Sequence, residues 1–350
     1  MLRKNDIAHA LVLALLALLH ACSPDVDVYA PERELYIVYG VLNPQKDVQY
    51  VTVTKVFQFE GDAYAFAAEN DLTARGLQVT LRVDSTIQTA TLVELSDSVP
   101  DMFAKTTGAY RFETVGANAI KPGRRYDLEI RKPDDPDFLI TAYTEVPTAP
   151  ALTSPGPPIY SAQQGTFSFP TVEFAEDQAV YIDRGSGSGF EVRVYVDYVA
   201  TDGHHIARWG PTPVFKTPVR CPANAGRGEI CYEIPGGAVP NTLHNVFGRY
   251  ADTVYVYDTL RVAMSLDSLN KTAWMEVTAV DSFLTSYLIS SNPFGFGLNL
   301  LMDKKDYSNI SGDHAGIFGS INTASHYIYL GSCTRWLAGL RGRRPAGCGR

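Results

Sequence analysis

Apolar and polar residues alternate along this chain in short runs, and a period of two places one face of each run in a core only if the run is a strand. Leu35-Tyr36-Ile37-Val38-Tyr39-Gly40-Val41 and Tyr50-Val51-Thr52-Val53-Thr54-Lys55-Val56, separated by Asn43-Pro44-Gln45, predict a strand pair between Glu34 and Phe57. Further strands are expected at Leu77–Val83, Ala90–Leu95, Ala109–Thr114, Tyr126–Arg131 and Leu139–Glu145, with two helical turns at Ala63–Asn70. Turn sequences such as Lys121-Pro122-Gly123 and Pro133-Asp134-Asp135-Pro136 join them. Strands of this length and spacing describe a β-sandwich of immunoglobulin-like size.

Pro147 to Pro158 holds five prolines with Ser154 and Gly156, a composition that suits an interdomain linker. Beyond it, strands are expected at Thr171–Phe174, Phe190–Ala200, Val254–Leu266 and Thr272–Val280. Asp281 is placed to cap one helix, Ser282–Ser290, whose Phe283, Leu284, Tyr287 and Leu288 share a face. A chain of 350 residues exceeds the size at which a single core stops growing, so two domains are expected. The expected organisation is a leader at 1–21, an N-terminal β-sandwich at 22–146, a linker at 147–158, a mainly β domain with one packed helix at 159–327, and an atypical basic tail at 328–350.

Arg3 and Lys4 precede an apolar run from Ile7 to Leu19, the charged and hydrophobic regions of a secretory signal. As a helix the run is roughly 20 Å long, too short for a hydrocarbon core of about 30 Å. It ends in Leu19-His20-Ala21-Cys22, which resembles the bacterial lipobox, with His20 departing from the usual small or aliphatic residue. That resemblance implies removal of residues 1–21 and a diacylglycerol thioether on Cys22, so the expected partner is a membrane held through that anchor. Asp25 and Asp27 shortly after the cysteine resemble a weak surface-export signal, and periplasmic and cell-surface facing both stay open.

Hydrophobic residues make up 45% of the chain and charged residues 19%, enough apolar surface for a core. The formal charge of −8 hides an asymmetry, because Arg335, Arg341, Arg343, Arg344 and Arg350 crowd the last twenty residues without an acid. The body between leader and tail is therefore more acidic than the average, which argues against a nucleic acid as partner. Cys221 and Cys231 flank a turn-rich loop and are expected to form a disulfide in an oxidising compartment. Their spacing is not that of a zinc knuckle. Cys333 and Cys348 lie in the Arg-, Gly- and Ala-biased tail, to which the sequence assigns no role.

No phosphate loop or zinc-hydrolase motif is present, and Gly185 to Gly189 has Gly187 where a nucleophile elbow needs serine. His204-His205 beside Asp202 form the one histidine cluster; adjacent side chains on a strand point apart, so a solvated loop is expected, with no metal and no cofactor. The carboxylates Asp134, Asp135 and Asp137 in a proline turn are likewise expected to be solvated. Aromatic residues crowd the second half of the chain. Tyr195, Trp209, Tyr255 and Tyr257 are the candidate binding aromatics, as platforms for a ligand or protein surface, against the alternative that they pack a core.

The lipobox, the Leu35-Tyr36-Ile37-Val38-Tyr39-Gly40-Val41-Leu42 opening, Gly108-Ala109-Tyr110 with Gly123-Arg124-Arg125-Tyr126, and the ending Tyr307-Ser308-Asn309-Ile310 … Gly316-Ile317-Phe318-Gly319-Ser320 together resemble a Bacteroidetes lipoprotein family, domain-of-unknown-function family 4249. The resemblance spans about residues 22 to 322, and the closing motif is its most specific part. It implies an outer-membrane lipoprotein without established enzymatic activity, often encoded near TonB-dependent receptors. The expected function is thus a non-enzymatic accessory binding component near such a receptor; the alternative is a structural or assembly lipoprotein with no small-molecule ligand. The tail after Tyr327 and the cysteine loop depart from the family pattern.

Overall fold

The computed structural model describes residues 34–56, 70–96, 106–157, 159–163, 166–183, 185–214, 229–250, 273–291, 307–339 and 346–348. The first half of the chain supplies strands β1 (Tyr36–Leu42), β2 (Val48–Lys55), β3 (Gln78–Val83), β4 (Thr86–Thr89), β5 (Thr91–Ser96), β6 (Thr106–Glu113), β7 (Arg125–Lys132), β8 (Asp135–Glu145), β9 (Ala151–Ser154), β10 (Ile159–Ser161), β11 (Thr166–Ser168) and β12 (Thr171–Val172). The second half supplies β13 (Gln178–Asp183), β14 (Gly189–Ala200), β15 (Gly203–Val214), β16 (Glu229–Ile234), α1 (Ala238–Phe247), β17 (Ala273–Val280), α2 (Ser282–Ser291), β18 (Ala315–Tyr327), β19 (Tyr329–Leu330) and α3 (Ser332–Leu337). The protein is mainly β, and its sheets stack as sandwiches.

One eight-stranded sheet runs in the order β15-β14-β17-β18-β1-β2-β6-β5. A four-stranded sheet, β4-β3-β7-β8, shares a core with its β1, β2 and β6 side. Period-two alternation builds this core: Tyr36, Val38 and Leu42 of β1, Val51 and Val53 of β2, Tyr110 and Phe112 of β6 meet Val79, Leu81, Leu128, Ile130 and Ile140 from the facing sheet. The second core sets Val192, Val194, Val196, Met275 and Val277 against Val180, Ile182 and Ile234 of the three-stranded sheet β16-β13-β9. Val239, Leu243 and Phe247 of α1 close it.

The two cores are joined by β18. Its first half, Ala315 to Ser320, pairs in parallel with β1, and its second half, Ile321 to Tyr327, pairs antiparallel with β17. The expected boundary at 147–158 is therefore crossed by a hydrogen-bonded sheet, and residues 36–350 form one compact unit. Inside the expected linker, Ala151–Ser154 forms β9 on the edge of β13. Proline is tolerated there because it flanks an edge strand and costs few ladder bonds.

Two further corrections concern the second half. The expectation of one packed helix gives way to α1, α2 and α3 among the described residues. The expected atypical tail is built into the fold over 328–339: Ile328, Leu330 and Ala338 are buried in the second core, and β19 pairs in parallel with β12. A disulfide joins Cys333 to Cys348. Cys231 is disulfide-bonded and buried, while Cys221 lies outside the described residues.

Candidate functional site

The outer face of the β14–β17 ladder carries an aromatic row that the register defines. Tyr195 on β14 stands opposite Arg208 on β15 and Trp274 on β17, and Trp274 stands opposite Tyr327 on β18. The Tyr195 and Trp274 rings are stacked, 5.0 Å between centroids and 6° between planes. Trp274 Nε1 donates to Glu276 Oε1 at 3.1 Å, which meets the indole's only donor. Along the same face Arg193 pairs with Glu191 at 2.8 Å, and His204 Nε2 lies 2.6 Å from Asp197 Oδ1. The face thus combines a rigid aromatic pair with charges of both signs.

Of the four candidate aromatics, Tyr195 lies on this half-buried face. Trp209 does not: it is 9% exposed, opposite Val194 in the ladder, and packs in the second core. The bulge opposite Val192 and Val194 lies beyond Trp209, which keeps the alternation of β15 and shares the inward face of Ala207. Tyr255 and Tyr257 lie outside the described residues, as does Cys22. Trp274 was missed as a site residue, although the expected strand at Thr272–Val280 put it in alternation with Glu276. His204 and His205 sit on β15 rather than in a loop, on opposite faces; His205 bonds Asp202 at 2.8 Å and stacks on Tyr198. Among the described residues, no group of three or more His, Cys, Asp or Glu is placed to hold a metal ion.

A concavity of about 470 Å³ lies on the outer face of β3, β7 and β8, walled by Asn309 and Ser311. Its charges are paired with one another: Arg82 with Glu129 at 3.0 Å and Arg125 with Asp127 at 2.7 Å. The Arg125 guanidinium also covers the Tyr143 ring at 3.8 Å, and Phe283 abuts that ring edge-on. A ligand here would have to displace these pairs. The wall itself extends the sheet, since Ser311 N donates to Thr141 O at 2.8 Å and Asn309 Nδ2 to Tyr143 O at 3.1 Å.

The closing motif acts structurally. Asn309 Oδ1 accepts from Phe318 N at 2.9 Å and its Nδ2 donates to Phe318 O at 2.7 Å, as a neighbouring strand would. Gly316 has φ +118°, and a Cβ there would lie 2.0 Å from Val38 O. A Cβ on Gly319 would lie 2.7 Å from Leu284 Cβ, so glycine lets α2 approach β18. Asp281, 4% exposed, caps α2 by accepting from Leu284 N at 2.7 Å and also binds Thr144 and Ser320. Burial pushes the Asp281 carboxyl above its ordinary range, against the lowering effect of these donors.

No family model matches the chain, and no curated protein matches it.

Proposed function

We propose that the chain is an exported envelope protein, lipid-anchored in the outer membrane through Cys22, that works by binding as an accessory component near a TonB-dependent receptor, within the lipoprotein family it resembles. The observation that carries this reading is the leader itself: Arg3-Lys4, the apolar run from Ile7 to Leu19 and the Leu19-His20-Ala21-Cys22 box stand ahead of the first strand at Tyr36. Cys22 lies fourteen residues before Tyr36, enough extended chain to span up to about 50 Å from a bilayer. The Tyr195–Trp274 row, with Arg193, Arg208 and Glu276 beside it, has the aromatic and arginine content that protein contacts favour.

A structural or assembly role with no small-molecule ligand is the second reading, and the internally paired charges of the β3–β7–β8 concavity favour it. Cys22→Ala tests the anchor: loss of palmitate labelling together with movement out of the membrane fraction supports it, and unchanged maturation and fractionation refute it. Pull-down from detergent-solubilised membranes, read by mass spectrometry, separates the two roles. Recovery of a receptor component supports the accessory role; recovery of none supports the structural one.

A further inference from the structure

We propose that His314 is an acid-released latch on the amino end of β1: as a neutral ring it holds the first residue of that strand, and as a cation it lets go. The parallel register of β1 on β18 begins with Ile37 opposite Ala315. One residue earlier on each side the join runs through a side chain, since Tyr36 N donates to His314 Nδ1 at 3.3 Å. An imidazole nitrogen accepts only while it carries no proton, and both ring nitrogens of the cation are donors. Protonation therefore sets a second donor against the Tyr36 N–H.

The ring is built into the fold. His314, Tyr36 of β1 and Phe138 of β8 form a triangle of rings with centroids between 5.3 and 6.1 Å apart. Tyr36 is buried, and Phe138 packs against the same core. From β7, Lys132 Nζ stands 4.7 Å from the Phe138 centroid and 5.6 Å from that of Tyr36. The cluster thus takes up one cation already, and an imidazolium would be a second. Lys132 is opposite Asp135 in the β7–β8 ladder, and β1 brings the Tyr36 phenol. Asp313, beside His314 in the chain, favours the charged ring, but burial outweighs it and holds the imidazole below its ordinary value of 6.5.

A released His314 regains its ordinary affinity for protons, so the open form takes one up before the closed form does. The latch is closed above 6.5 and opens as pH falls from there toward the lower value of the closed form. The release is local, because Tyr36 is the terminal residue of β1 while Val38 and Leu42 stay fully buried further along the strand. Acid loosens the start of the first strand and leaves the core behind it in place.

The test follows hydrogen–deuterium exchange at the Tyr36 amide of the full-length chain, by mass spectrometry with residue-level fragmentation, from about pH 7.5 to about pH 5. Each rate is divided by the intrinsic chemical rate at that pH. The corrected rate is expected to rise roughly tenfold on acidification, with its onset near 6.5, while Ile130 in the same core keeps its protection. His314→Gln keeps an uncharged acceptor and should abolish the rise; His314→Phe keeps a ring without an acceptor and should exchange fast throughout. A corrected rate that is flat in the wild type, that first rises in the carboxylate range, that rises equally in His314→Gln, or that Ile130 matches would overturn the proposal. Should neither variant fold, the wild-type onset and the comparison with Ile130 decide it.

Discussion

Asp281 and Ser320 bind each other between the start of α2 and the middle of β18, with Ser320 Oγ 3.0 Å from Asp281 Oδ2. Thr144 Oγ1 reaches the same oxygen from β8 at 2.5 Å, and the Ser320 backbone N–H also donates to it. One carboxylate therefore ties α2, β8 and the strand shared by both cores. Asp281→Ala should cost about 2 to 4 kcal/mol, combining a lost helix cap with lost hydrogen bonds to a charged acceptor. Urea denaturation of the full chain would read it, and a loss below that of an ordinary surface substitution would count against this joint.

The same residue sets a pH dependence. Its folded pKa is raised above the ordinary carboxyl value of 3.8, with burial the largest cause. The folded state therefore takes up this proton before the unfolded state does. The proton-linked part of its contribution is fully present below 3.8 and is lost as pH rises through the folded value. Relative to Asp281→Asn, the wild type should gain stability as pH falls from neutrality toward 3.8, and a flat difference would contradict the assignment.

Gly316→Ala should destabilise by about 3 kcal/mol or more, because it adds a Cβ against Val38 O in a left-handed backbone. Gly312→Ala shares a positive φ, 73°, but its nearest contact would be His314 Cδ2 at 3.7 Å; about 1 kcal/mol is expected. Thermal melts of the two variants compare backbone strain alone with strain plus collision.

Replacing Tyr195 and Trp274 singly and together with Ala should reveal a coupling of about 0.5 to 1.5 kcal/mol in folding stability. A coupling near zero would mean that the stacked pair is held by its strands and contributes little itself.

Glu173 holds the start of α3: its carboxylate accepts from Cys333 N at 3.0 Å and from Thr334 N at 2.5 Å. Thr334 Oγ1 in turn accepts from Phe174 N at 2.6 Å. Glu173→Ala should lower local stability by about 1 to 3 kcal/mol and speed trypsin cleavage after Arg335 roughly tenfold or more. Unchanged cleavage would show that β19 and the disulfide hold this segment without the carboxylate.

Strands β1, β2, β3, β7 and β8 and the Asp281 cap were legible because each rests on information within a few residues: alternation, a turn, a capping side chain. The parallel pairing of β1 with β18 was not, since Ile37 and Ala315 are far apart in sequence and no local pattern encodes the match. Nor was the tail, where a biased composition concealed Ile328, Leu330 and Thr334 as buried residues. At the candidate site, Tyr195 is singled out in the sequence by its aromatic neighbourhood. Trp274 became visible only once strand register set the two rings side by side.

The pairing of β1 with β18 also governs when the molecule can be completed. A strand near the beginning of the chain occupies the middle of the sheet, yet one of its neighbours emerges only after about 280 further residues have been made. Until then β1 has a bare flank, and contacts of such sequence separation form slowly. Synthesis from the amino end therefore leaves this sheet open beside β1 until β18 has been made.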